Sequence, residues 1–207
     1  MTMFELLLKG GPVMVGILMC SLIGLTVFIE RIWSLHRAQI DREQFMKGIR
    51  NILKRNKVAE AVSICEESYG PVASILKAGL LNIGKTKEEI REAMENAALY
   101  EFPKLRKNLV ILFTVTQISP LLGLLGTVTG MINAFMVIHQ HGGIVNAGDL
   151  AQGIYEALIT TVGGLVVAIP CFIAYNYITS RVQKLVTDME QSSAELLNMI
   201  VSMESEI

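Results

Sequence analysis

The sequence predicts an all-α polytopic membrane protein with three transmembrane helices, and three observations carry that reading. Of the 207 residues, 52% are hydrophobic and only 18% are charged, a balance far from that of an ordinary soluble domain. Three segments each supply the roughly 20 apolar residues that a helix needs to cross about 30 Å of hydrocarbon. The charges are also segregated: 15 of the 18 Lys and Arg lie between Arg31 and Lys107. That pattern reads as alternating compartments along the chain, and it leaves the net charge of −1 uninformative.

Taken in order, the first span is PVMVGILMCSLIGLTVFIERIW, about residues 12–33, closed by Glu30, Arg31 and an interfacial Trp33. Its charged flank follows the apolar run and no small-residue cleavage site comes after it, so it reads as a retained helix and not as a signal peptide. Residues from about 34 to 108 form a helical region. There Phe45, Ile49, Ile52 and Leu53 recur at helical spacing. YGPVASILKAGL begins with a Gly-Pro break, and Thr86 with Glu89 three residues later makes a capping-box pattern. The helix opened by that box runs toward the second span, with Pro103 as an expected bend. The second span covers about 109–138 and the third about 150–178, joined by a short loop that makes them antiparallel. Beyond the third, Val182, Leu185, Met189, Ser192, Leu196, Met199 and Met203 recur at steps of three and four. That stripe predicts a helix over about 179–205 continuing the span and packing on its neighbours. No strand pattern interrupts the chain, and residues 1–207 read as one unit.

The basic residues set the expected direction. The stretch between the first two spans is rich in Lys and Arg, Arg181 and Lys184 follow the third, and none stands from His139 to Asp149. The positive-inside rule then places the N-terminus and the short loop outside, and the helical region and C-terminus in the cytoplasm.

The last two spans are more than greasy. From Asn108 to Gly148 there is no Asp, Glu, Lys or Arg, and Glu156 is followed by an uncharged run as far as Ser180. Glycines such as Gly123, Gly126, Gly163 and Gly164 read first as close-packing positions. Pro120 and Pro170 each free a backbone carbonyl, giving a kink or a hydrated gap. Glu156 stands apart. An ionisable group at the middle of a membrane helix costs about 2.5–3.5 kcal/mol on insertion scales. From a helix start near Asp149, it lies about 10 Å along the helix. It either carries a proton or faces a polar cavity, as an ion-pathway group or as an assembly hydrogen bond. Thr127 lies roughly 16 Å inward from Ile138, Thr160 is one turn from Glu156, and Thr161 is beside it. Hydroxyls both donate and accept, which suits a proton relay or a water file.

Nothing in the chain suggests catalysis. There is no Gly-rich phosphate loop with Lys, no zinc-spaced His/Glu set and no Ser-His-Asp candidate. Cys20, Cys65 and Cys171 lack metal-ligand spacing, and His139 and His141 sit in a loop read as solvated. No metal, cofactor or nucleic acid is expected.

ISPLLGLLGTVTGMINAF and GIYEALITTVGGLVVAIPCFIAYN resemble the second and third spans of the MotA/TolQ/ExbB proton-channel family, and YGPVASILKAGL is similar to its cytoplasmic segment. Three spans with a long cytoplasmic stretch match the ExbB and TolQ branch. The resemblance implies an inner-membrane motor subunit, with five copies surrounding a dimer of a single-span ExbD- or TolR-like partner. Proton flow there drives work on a periplasm-spanning TonB- or TolA-like protein. By motif position Thr127, Glu156 and Thr161 fall on the family's pore-facing polar residues, with Thr160 a secondary candidate because relatives often carry a small apolar residue there. The partner's transmembrane Asp is then the proton-carrying carboxylate. Transport of the ExbB type is favoured over TolQ-type envelope maintenance, a gliding motor, or a passive scaffold for a partner helix.

Overall fold

The computed structural model describes residues 11–140 and 147–205. Lys9, His141 and Asn146, with the middle of the short loop, lie outside the described residues. Among the described residues seven helices follow one another: α1 (Gly11–Ala38), α2 (Arg42–Leu53), α3 (Val58–Glu67), α4 (Pro71–Leu80), α5 (Lys87–Arg106), α6 (Leu109–Gln140) and α7 (Ala147–Ser205). Three helical stretches among the described residues are long and apolar enough to cross a membrane. They fall on α1, α6 and the first half of α7, where the apolar runs of the sequence lie. The chain forms two compact units, one from the residues up to Glu30 with Asn108–Tyr177, the other from Arg31–Lys107 with the residues from Ile178 onward.

The first unit is apolar on its outside. Leu22, Val110, Leu121, Leu158 and Ile173 are all exposed. Such a continuous apolar surface is what lipid or other helices cover, and a soluble monomer does not expose it. Its inside is made by close approach. Met14 and Ile17 of α1 are buried, with the Met14 sulfur and the Ile17 side chain set against Gly163 of α7. At Gly24 an added Cβ would come within 2.7 Å of the Cys171 sulfur.

The second unit is amphipathic throughout. Asp41 caps α2 by accepting from the Gln44 backbone N–H at 3.1 Å. The buried stripe of α2 is Met46, Ile49 and Leu53, with Phe45 and Ile52 only half-buried at its edges. Gly70 sits at φ +134, in a region that suits glycine, and Pro71 opens α4 where its missing N–H costs nothing. The predicted stripe of α7 is buried at Val182, Leu185, Met189, Ser192 and Leu196. It then continues through Ile200, which at 3.6 residues per turn falls nearer the centre of the stripe than the half-buried Met199; Met203, in the last turn of the helix, is half-buried as well. Arg42 and Arg50 of α2 both pair with Glu195, and the Arg42 Nε–H donates to Ser192 Oγ at 3.1 Å.

Pro103 does not end the helix before the second span. It stays inside α5, and the helix breaks instead at Lys107 and Asn108, the latter at φ +60. The carbonyl that Pro103 leaves unpaired belongs to Leu99, on a face where Leu99 and Tyr100 are exposed and solvent can satisfy it. Asn tolerates the left-handed conformation that the break requires.

The capping box of α5 is complete. The Glu89 N–H donates to Thr86 Oγ1 at 3.3 Å, and the Thr86 N–H donates to Glu89 Oε2 at 3.0 Å. Thr86→Ala is expected to cost about 1 kcal/mol of helix stability, read as faster amide exchange in the first turn of α5. The Thr86 hydroxyl and then its backbone N–H hold the Glu89 carboxyl below its ordinary value. A lowered folded-state value means that this stabilisation is complete above the ordinary Glu range and fades as pH falls through the folded one. Thr86→Ala should therefore also weaken the acid dependence of exchange in that turn.

Candidate functional site

The polar residues of the last two spans are placed by one helix–helix seam. On α6 the contact face is Ser119, Gly123, Gly126, Gly130 and Ala134, all buried. On α7 it is Gly153, Ala157, Thr160, Gly164 and Ala168, with Gly153 half-buried. The spacing of three and four residues keeps each set on one side of its helix. The backbones nearly touch: a Cβ on Gly164 would lie 2.5 Å from the Ser119 carbonyl, and one on Gly123 3.0 Å from the Thr160 carbonyl. Gly130 meets Ala157, and Gly153 meets Ala134. Because the numbers rise on one helix as they fall on the other, the spans are antiparallel. Small residues permit this approach, which in lipid supplies dispersion contacts that water cannot drive.

The seam brings two of the expected site residues together. The Thr161 hydroxyl donates to the Gly123 carbonyl at 3.1 Å, and the Thr127 hydroxyl to the Leu124 carbonyl at 2.6 Å. The two threonines thus sit on consecutive carbonyls of α6. Each hydroxyl has spent its one proton on that bond and keeps lone pairs free to accept. A pair of acceptors side by side, half-buried, is suited to receive a proton donor or a water.

Thr160 is placed differently. It is 2% exposed, its hydroxyl donates to the Ala157 carbonyl at 2.7 Å with the Gly123 carbonyl at 3.4 Å, and it fills the space opposite Gly126. Glu156 is half-buried. It stands nine residues into α7, about 14 Å along the axis. Being five residues from Thr161, it lies about 140° around the helix from it. Glu156 therefore flanks the seam on the side away from the Thr127–Thr161 pair.

Two residues carry roles that sequence reasoning did not single out. Ser119 is fully buried and its hydroxyl has no hydrogen-bond partner among the described residues. It was one small polar residue among many, with no spacing signal of its own. Arg31, read from the sequence only as the charged end of the first span, is 3% exposed. Its guanidinium donates to the carbonyls of Lys104, Leu105 and Lys107 at 3.1, 3.3 and 2.9 Å.

Comparison with known proteins converges on the same segments. Residues 67–191 match the MotA/TolQ/ExbB proton channel family. The ExbB-like 1 protein of Synechocystis sp. is 35% identical over 180 residues, covering 84% of this chain and 69% of its own. The biopolymer transport protein ExbB of Neisseria meningitidis serogroup A is 25% identical over 203 residues, covering 91% of this chain and 92% of its own. The Tol-Pal system protein TolQ of Pseudomonas aeruginosa is 40% identical over 102 residues, or 48% of this chain and 42% of its own.

Proposed function

Because this chain belongs to the MotA/TolQ/ExbB proton channel family, we propose that it is the channel-forming subunit of an inner-membrane motor that spends a proton gradient on transport of the ExbB type. Five copies surround the transmembrane helices of an ExbD- or TolR-like dimer, whose Asp carries the proton. The motor works on a TonB- or TolA-like protein across the periplasm. The N-terminus faces the periplasm and the C-terminus the cytoplasm, a direction that the distribution of Lys and Arg supports. Thr127 and Thr161 receive the loaded carboxyl of the partner through their free lone pairs, Thr160 locks the seam behind them, and Glu156 keeps the access route polar. ExbB-type transport is favoured over TolQ-type maintenance because the ExbB relative matches nearly end to end, whereas the TolQ match covers about half of the chain.

The observation that carries this reading is Glu156, the one acid between Leu150 and Ser180. An ionisable group there is costly in hydrocarbon, and a neutral side chain would serve packing alone without that cost. Glu156→Gln, purified with its single-span partner and reconstituted in liposomes, is expected to lower proton flux about tenfold, as a rise of about 1.4 kcal/mol in the barrier along the access route would. Copurification should be unchanged. Full flux in that variant would leave the passive-scaffold reading in its place. Loss of copurification would make Glu156 an assembly residue.

A further inference from the structure

Two grooves run along the C-terminal half of α7, and the helices that bound them carry opposite charge. One cavity, of about 650 Å³, lies between α2 and α7 and is lined by Arg42, Arg50, Leu53, Lys54 and Met199. The other, of about 660 Å³, lies between α5 and α7 and is lined by Met94, Glu95, Leu99 and Met189. Ala194 and Asn198 line both cavities and are exposed. The open ridge of α7 therefore separates the grooves, with α2 on one side and α5 on the other. From Asp41 to Arg55 the chain has five Lys and Arg against two acids, and from Thr86 to Asn96 four acids against two bases.

The charges on each edge are left over from the fold. Arg42 and Arg50 share the one carboxylate of Glu195, and Lys54 stands one turn beyond Arg50 in the same groove. The Arg50 guanidinium has five N–H donors and gives that carboxylate one of its terminal nitrogens, Nη2. On α5, Glu88 and Glu92 are exposed one turn apart, and Glu92 lies about 160° around the helix from the buried Met94. Among the described residues Lys54, Glu88 and Glu92 have no ion-pair partner. Like charges one turn apart weaken a helix, and both edges carry such a pair.

The two edges also stand at one height. Arg50 reaches Glu195. The Ser193 hydroxyl donates to the Met94 sulfur at 3.4 Å, and Met94 meets Leu196 over Gly79. Glu92 is two residues from Met94, a displacement of about 3 Å along α5. Arg50 and Glu92 are thus level with the same turn of α7, on opposite sides of it. Because α7 is among the helices fit to cross a membrane, copies rotated about an axis along it present these edges to each other.

We propose that the groove between α2 and α7 receives the acidic edge of α5 from a second copy of this chain, with Glu92 set against Arg50 and Lys54. Two different edges meet, so the contact is head-to-tail, the kind that rotation closes into a ring. The proposal rests on the five-copy reading above, and native mass spectrometry of the wild type in mild detergent reads that copy number first. Arg50→Cys and Glu92→Cys, on differently tagged copies expressed together, should then be joined by a bismaleimide linker, and neither should be joined to wild-type copies. Glu92→Lys should lower the ratio of pentamer to monomer about tenfold at low salt, because the ring repeats one weak exposed pair at every contact. The loss should shrink at high salt. Adding Lys54→Glu to Glu92→Lys should recover most of it. Pentamers that form without a link between the tagged copies would overturn the proposal, as would a double reversal no better than Glu92→Lys alone. If Arg50→Cys fails to accumulate, Lys54→Cys offers the linkage from the next turn, and absence of a link from it would overturn the proposal equally. A wild type found only as monomer would instead remove the five-copy reading, and this inference with it.

Discussion

Gly126→Leu is expected to abolish accumulation of the protein in the membrane. A Cβ at Gly126 would overlap the Thr160 side chain, lying 2.5 Å from its Cβ and 2.8 Å from its Cγ2. Thr160 has no room to yield, because it is 2% exposed and its hydroxyl is bound at 2.7 Å to the Ala157 carbonyl. The helices must part instead. That opens the Gly123–Thr161, Gly130–Ala157 and Ser119–Gly164 contacts together. Overpacking a tight site costs about 1–3 kcal/mol and occasionally more, and here a whole seam is tied to one position. Membrane-fraction protein level and thermal unfolding in mild detergent read the loss. Two controls sharpen the result. Gly48 has nothing within 4 Å of an added Cβ, so Gly48→Leu should be tolerated. Combining Gly126→Ala with Thr160→Gly should recover most of the stability, because it moves the methyl from one side of the seam to the other.

Arg31→Met should destabilise the second unit by about 2–3 kcal/mol, the size expected when hydrogen bonds from a charged donor are lost and buried carbonyls are left unsatisfied. Helix α5 ends at Arg106, and the last four carbonyls of a helix have no partner within it. Arg31 supplies one for Lys104 and Leu105 and reaches the following Lys107 carbonyl as well. Its charge also sits favourably at a helix C-terminus. Methionine keeps much of the packing of the stem and removes every donor. Arg31→Lys should recover only part of the loss, since the three carbonyls gather at one guanidinium nitrogen, Nη1, at the end of a longer stem than lysine has, and an ammonium also loses the Nη2 bond to Ser34. Thermal unfolding of the purified protein, with hydrogen exchange followed at the end of α5, measures both variants. Wild-type protection there in Arg31→Met would show that the three carbonyls are satisfied without it.

The candidate site was legible in the sequence as a set of residues and much less as an arrangement. Glu156 announced itself because a carboxylate in a charge-free helix is expensive. Thr127 and Thr161 were named by motif resemblance and by their supposed depth. That the two threonines lie on adjacent carbonyls, and that Glu156 falls on the opposite flank of the seam, required the phase of one helix against the other. Thr160 shows the same limit. Its position one turn from Glu156 suggested a pathway hydroxyl, whereas the structure seats it inside the seam against Gly126.

The sequence by itself determined the features that depend on contrast with water. Apolar runs long enough to span hydrocarbon became α1, α6 and the start of α7, since exposing them to water is too costly. The Thr86–Glu89 box, the Gly70–Pro71 entry to α4 and the stripe from Val182 to Leu196 appeared where local hydrogen bonding and periodicity put them. Only the tertiary structure decided which face of α6 meets α7, because that helix is apolar on every side and lipid is as apolar as leucine. Burial there is a matter of how closely two backbones fit, and that depends on residues from both helices at once. The same holds for Arg31, whose acceptors stand more than 70 positions away along the chain. A side chain's hydrogen-bond partners are set by where the fold brings the other helix to its end, and no local pattern in the chain encodes that distance.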